Sequence, residues 1–142
     1  QGDLLVTPLQ LLNFISSIGN NGKLYRPFLK KSLGPEILAD YSSLAEEIGQ
    51  VKIGLRDAVH QSYGSARILN DLPIAVAGKT GTPQIANKTK VNAIFAGYAP
   101  AENPEIAILV LVENARAGSL NALPIARDVF RWYYENRITV RE

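Results

Sequence analysis

The stretch Val76-Ala77-Gly78-Lys79-Thr80-Gly81-Thr82-Pro83-Gln84 gathers the residue types in this chain that are best suited to chemistry. Glycines bracket a lysine, and two threonine hydroxyls stand two residues apart. On an extended backbone successive side chains alternate faces, so Thr80 and Thr82 are expected on one side and Lys79 and Gly81 on the other. Two O–H donors beside a cation satisfy the lone pairs of a carboxylate better than those of a neutral group. Gly81 brings no side chain between a ligand and the main chain, which leaves the following N–H, that of Thr82, free to reach a reacting carbonyl oxygen. The apolar, partly β-branched residues Ile74 to Ala77 predict a buried strand that ends in this site. The plainer alternative is a glycine-rich strand end that binds nothing.

Elements must hold that strand in place. Thr7-Pro8-Leu9-Gln10 predicts a helix start: Thr7 caps, Pro8 suits the first helical position and Gln10 completes a capping box, with Val6 and Leu11 as a hydrophobic staple. Leu11, Leu12, Ile15 and Ile18 then share one face, and Gly19 to Gly22 stop the helix. Leu24 to Leu29 reads as a short extended piece that Pro27 keeps out of a central strand. Gly34-Pro35 marks a turn, and Ile37 to Glu47 fits either a short helix or a loop. Val51 to Tyr63 predicts a helix with Val51, Leu55, Ala58, Val59 and Ser62 on one face, ending at Gly64. His60, the only histidine, falls within it and reads as a solvated surface residue rather than a base.

After the site comes a polar loop, Asn87-Lys88-Thr89-Lys90, then a strand from Val91 to Ala99, a turn at Ala101 to Pro104, and a continuous apolar run from Ile106 to Val112. Short connections predict an antiparallel meander of three segments. The last run lacks alternation, so both of its faces should be covered. One cover is a final helix, capped by Asn121 with Pro124 in its first turn, whose stripe is Leu123, Ala126, Phe130, Tyr133 and Arg137, with Trp132 and Tyr134 at its edges. The fold class is α+β, an antiparallel sheet covered by helices.

With 142 residues the chain is the size of one domain and long enough for a core. A hydrophobic content of 46% and a charged content of 20% exclude a disordered chain. A net charge of +2, without basic runs interleaved with aromatics, gives no reason to expect nucleic acid. The absence of cysteine excludes disulfides and thiol chemistry and leaves the redox compartment open. No apolar segment approaches bilayer length, and the Gln1-Gly2-Asp3 start suggests a piece of a longer chain.

Gly78-Lys79-Thr80-Gly81-Thr82 resembles the Lys-Thr-Gly motif of the penicillin-binding transpeptidases, part of the serine acyl-transfer superfamily that includes the class A β-lactamases. Val6-Thr7-Pro8-Leu9-Gln10, Asn21-Gly22, Gly64-Ser65-Ala66, Gly97-Tyr98-Ala99-Pro100 and Pro124-Ile125-Ala126-Arg127 fall in the order and spacing of the class B members, closest to the elongation type. The resemblance covers nearly the whole chain. It implies a D,D-transpeptidase on the periplasmic face of the bacterial inner membrane, anchored upstream, that cross-links peptidoglycan stem peptides and is acylated by β-lactams. Lys79 would supply positive charge and hold the proton network. Thr80, Gly81 and Thr82 would bind the D-Ala-D-Ala carboxylate or that of a β-lactam, and the Thr82 N–H would be one oxyanion donor. The implied partners are the stem peptide, β-lactams, the upstream part of the same domain and other cell-wall synthesis proteins; no metal or organic cofactor is implied.

Serine acyl transfer needs a nucleophile with a base beside it, which this family draws from a Ser-x-x-Lys helix turn followed by a Ser-x-Asn loop. No serine here has a lysine three residues on. Ser119-Leu120-Asn121 fits the second pattern but follows Lys79 instead of preceding it, and reads as a helix-capping loop. Residues 1–142 are therefore expected to be the C-terminal part of one transpeptidase domain, inactive alone. The sequence departs from the family at Asn92 and Ile94, where many members carry His or Asp and Trp, and at Pro83, where alanine is commoner. The reading from a different class is a non-catalytic module that binds or scaffolds cell-wall proteins.

Overall fold

The computed structural model describes residues 4–85, 90–115 and 122–141. Helix α1 spans Pro8–Gly19 and opens on the expected capping box: the Gln10 N–H donates to the Thr7 hydroxyl at 3.2 Å while the Thr7 N–H donates to the Gln10 side chain at 2.8 Å. Its C-terminus closes where the glycines stand. Asn21 and Gly22 take positive φ, 64° and 97°, and the Gly22 N–H returns to the Ser17 carbonyl at 2.7 Å. A side chain at Gly22 would meet the Tyr41 backbone at 2.8 Å, so both the conformation and the space there require glycine.

Strand β1, Lys23–Tyr25, pairs antiparallel with β2, Ile37–Asp40, as a two-stranded ribbon. The segment from Ile37 to Glu47 thus divides into a strand, a 3-10 turn at Ser42–Leu44 and the start of a helix. Helix α2 spans Ala45–His60, six residues earlier at its start than the periodicity from Val51 suggests. Its buried face is Ile48, Leu55 and Val59, while Val51 is 46% exposed and Ser62 lies beyond its end. Lys52 occupies the turn between Ile48 and Leu55, which hides the stripe from a hydrophobicity count. Its ammonium donates to the Gly19 carbonyl at 3.2 Å and to the Asn21 side chain at 3.0 Å, a cation placed on the C-terminal end of α1.

The main sheet is built on β5, Lys90–Ala99, which pairs antiparallel with β3, Ala77–Gly81, and the short β4, Gln84–Ile85, along one edge and with β6, Ile106–Ala115, along the other. The meander is present. The first strand is displaced, however: Ile74 and Val76 are buried in the approach, and Lys79, Thr80 and Gly81 are themselves ladder residues. Backbone pairing to β5 decides that boundary, and apolar character does not report it.

Both faces of β6 are covered, as its unbroken apolar run predicts. Ile106, Ile108, Val110 and Val112 pack into a core with α3, Ala122–Tyr133, whereas Ala107 and Leu109 join a second core with α1 and α2. Helix α3 buries Leu123, Ala126 and Phe130. Beyond Tyr133 the chain widens into a π turn, Tyr134–Ile138, so the partly buried Tyr134 and Ile138 pack against the core where Tyr133 and Arg137 were expected. Arg137 is exposed and lies 5.7 Å from the Trp132 ring. Gln1-Gly2-Asp3, the loop residues Asn87, Lys88 and Thr89, the Ser119-Leu120-Asn121 triplet and the Asn121 cap lie outside the described residues.

Candidate active site

Strand β3 is an edge of the described sheet, bonded to β5 alone. Its register sets Lys79 opposite Ala96, Thr80 opposite Phe95 and Gly81 opposite Ile94. Directly opposed residues share a face. Ala96 belongs to the core under α1 and α2 and Phe95 to the core under α3, which sends Lys79 toward the first face and Thr80 toward the second. Lys79 and Thr82 are exposed, Thr80 and Gly81 half-buried.

Two glycines let this strand lie flat on its support. A Cβ on Gly78 would meet the Phe95 ring at 2.5 Å and the Ala96 carbonyl at 2.8 Å; one on Gly97 would meet the Ala77 carbonyl at 2.6 Å and the same ring at 2.7 Å. Phe95 is fully buried, and its ring stands edge-on to Phe130 of α3 with centroids 6.4 Å apart. The strand that carries the lysine and the hydroxyls is thereby braced through one aromatic ring against the last helix.

Strand alternation stops at Gly81, and Thr82 stands between β3 and β4, ahead of a proline that has no N–H for a ladder. The Pro83 carbonyl instead accepts from the Asn92 N–H at 3.0 Å, and the Asn92 side chain accepts from the Asn114 N–H at 3.2 Å. Asn92 thus ties together β5, β6 and the turn after the site. The Thr80 hydroxyl lies 2.8 Å from that of Ser65, and the Lys79 ammonium donates to the Thr80 carbonyl at 2.6 Å.

Ser65 was legible in the sequence only as the middle of Gly64-Ser65-Ala66, with no role attached. His60 is half-buried, not solvated: its Nδ1 is 2.5 Å from the Asn70 side-chain oxygen, and its Nε2 is enclosed with no hydrogen-bond partner among the described residues. It fastens the end of α2 to the 3-10 turn Arg67–Asp71. Asp71 in that turn pairs with Arg127 of α3, whose hydrogen bonds hold the carboxyl below the ordinary carboxylate range against the opposing effect of burial. Among the described residues no group of three or more His, Cys, Asp or Glu is placed to hold a metal ion.

The strand thus presents an exposed lysine and a half-buried hydroxyl beside an edge that pairs with no second described strand. The sequence model of the penicillin binding protein transpeptidase domain matches residues 1–131, and the chain belongs to that family. It is 32% identical to the peptidoglycan D,D-transpeptidase MrdA of Haemophilus influenzae over 97% of this chain and 25% of that protein. It is 31% identical to penicillin-binding protein 2A of Bacillus subtilis over 91% of this chain and 22% of that protein. Among solved structures it resembles Pseudomonas aeruginosa PBP2 in complex with WCK 5153, with a TM-score of 0.76 and 28% identity over 96% of this chain and 32% of that one. It also resembles PBP2 of Helicobacter pylori in its complex with MreC, with a TM-score of 0.78 and 26% identity over 96% of this chain and 26% of that one. The chain spans about a quarter of the length of these curated relatives. The α+β transpeptidase fold expected from the motifs is the fold found.

Proposed function

We propose that residues 1–142 form the C-terminal part of a peptidoglycan D,D-transpeptidase domain and supply one wall of its acyl-transfer site. The observation that carries this reading is the presentation of Lys79, Thr80 and Gly81 on a strand with one edge unpaired among the described strands. An extended D-Ala-D-Ala terminus can lie along such an edge, where main-chain groups give affinity and side chains read the end group. Thr80 and Thr82 bind the terminal carboxylate, and Gly81 permits its close approach. Lys79 supplies charge near the nucleophile and keeps the proton network in order.

The serine of an upstream Ser-x-x-Lys turn attacks the penultimate carbonyl and expels D-alanine. An amine of a neighbouring stem peptide then takes the acyl group and releases the serine. The Thr82 N–H is one donor to the oxyanion, and the nucleophile's own N–H is the other; one such donor contributes roughly 3 kcal/mol in the transition state. β-Lactams enter as carboxylate-bearing acyl donors. The longer protein works at the periplasmic face of the inner membrane, held by an anchor outside residues 1–142, among other cell-wall synthesis proteins; the MreC complex of the H. pylori relative supports that setting. No described helix is itself long and apolar enough to cross a membrane.

Two measurements test the reading together. Hydroxyls without an adjacent base stay protonated and poorly nucleophilic at neutral pH, so intact-protein mass spectrometry of this chain after benzylpenicillin should show no adduct. The longer protein that carries this segment should be labelled by a fluorescent penicillin. A stoichiometric adduct on the chain alone overturns the partial-site reading. An unlabelled longer protein favours the scaffolding module.

A further inference from the structure

The hydroxyl that Thr80 meets is not its companion at Thr82 but Ser65, from a turn 15 residues earlier in the chain. That turn is tightly built. After α2 ends, the Gly64 N–H donates to the Gln61 carbonyl at 3.0 Å and the Ala66 N–H to the Ala58 carbonyl at 2.9 Å. A Cβ on Gly64 would stand 2.4 Å from the Ala58 carbonyl oxygen, and Ala66 is fully buried. Ser65 is therefore held between two anchored neighbours while its own side chain is exposed. Beside it opens a cavity of about 490 Å³ lined by Gly64, Ser65, Arg67, Ile68 and Asp71.

We propose that Ser65 is a positioning residue of the site: it fixes the Thr80 hydroxyl and directs its proton toward the ligand carboxylate. The proposal rests on the reading of Thr80 as a carboxylate ligand. Each hydroxyl has one proton to give. An ionised carboxylate only accepts, so Thr80 must spend its proton on the ligand, and the Ser65–Thr80 bond survives only if Ser65 donates into the Thr80 oxygen. Ligand binding thus sets a single direction, Ser65 to Thr80 to carboxylate, and a chain of that kind polarises the terminal bond. Without Ser65 the Thr80 hydroxyl rotates freely, and part of its ordering has to occur on binding.

The test is the second-order acylation rate of the longer protein with benzylpenicillin and with its methyl ester, which lacks the ionised carboxylate. The proteins compared are the parent, Ser65→Ala, Ser65→Thr, Thr80→Val and the double variant Ser65→Ala/Thr80→Val, each checked for an unchanged melting transition. Ser65→Ala should slow acylation by benzylpenicillin about two- to fivefold, a fraction of what a hydrogen bond to a charged group is worth. Ser65→Thr should restore the rate, since the adjoining cavity has space for a methyl group. In the Thr80→Val background Ser65→Ala should change nothing further, and the methyl ester should be insensitive to Ser65. A full rate in Ser65→Ala, or an equal loss with Thr80 already replaced, overturns the proposal while leaving the carboxylate site standing. A full rate in Thr80→Val removes the carboxylate reading, and the role of Ser65 with it.

Discussion

The buried Tyr98 hydroxyl is a group whose protonation bears directly on folding. Tyr98 is 1% exposed, its hydroxyl has no hydrogen-bond partner among the described residues, and burial first, with the nearby Glu102 charge second, pushes its pKa up to about 12. Its ordinary value is about 10. The folded state therefore favours the neutral, protonated ring, and the stability this contributes is complete below pH 10 and lost as the pH rises toward about 12. Urea unfolding at pH 8 and pH 11 should show a steeper alkaline loss for the parent than for Tyr98→Phe. At pH 8 the phenylalanine variant should be as stable or more stable by about 1 kcal/mol, because it removes an unpaired polar group. Equal alkaline slopes would show that the hydroxyl is solvated in the folded state.

Among the elements, β3 depends on β5 for its position, and the contact that matters is Phe95 lying against Gly78 and Gly97. Gly78→Ala places a methyl within 2.5 Å of that ring and 2.8 Å of the Ala96 carbonyl, so strand and ring cannot both stay in place. Overpacking of this kind costs about 1–3 kcal/mol. Displacing Phe95 would also disturb its edge-on contact with Phe130 and so loosen α3. Chemical denaturation should show a lower midpoint for Gly78→Ala with an unchanged slope. A midpoint equal to the parent's would mean that the brace yields without cost, and that the strand is positioned by backbone pairing alone.

For the molecule as a whole, the decisive feature is how much apolar surface is left outside the two cores. Leu4 and Leu5 are 84% and 87% exposed, and Leu9 and Phe14 of α1 are 57% and 56% exposed. A cavity of about 690 Å³ between α1, the β1–β2 ribbon and α2 is lined largely by Leu9, Phe14, Ile18, Leu24, Leu38 and Leu44. Strand β6 has no second partner among the described strands. Contiguous apolar patches and open strand edges both favour association. Light scattering on a size-exclusion column should find this chain self-associated at raised concentration and binding a hydrophobic dye. A monomer at all concentrations with no dye binding would show that the chain covers its own core.

The sequence by itself determined what depends on local pattern. The capping box at Thr7, the glycine stop of α1, the meander and the two-sided burial of β6 follow from cap chemistry, the special conformation of glycine, short connections and missing alternation. The resemblance of Gly78-Lys79-Thr80-Gly81-Thr82 to a known motif, together with the motifs in order around it, likewise pointed to the family. Tertiary structure decided what depends on partners distant in the chain. Lys52 interrupts the α2 stripe because its ammonium is needed at the end of α1. The last helix widens at Tyr134–Ile138 so that Tyr134 and Ile138 reach the core in place of Tyr133 and Arg137. The boundary of β3 is set by its ladder with β5, which places Thr80 in the strand and Thr82 outside it. The side chain that meets Thr80 comes from a turn brought there by folding, and no periodicity within the site segment reports a hydroxyl supplied across space.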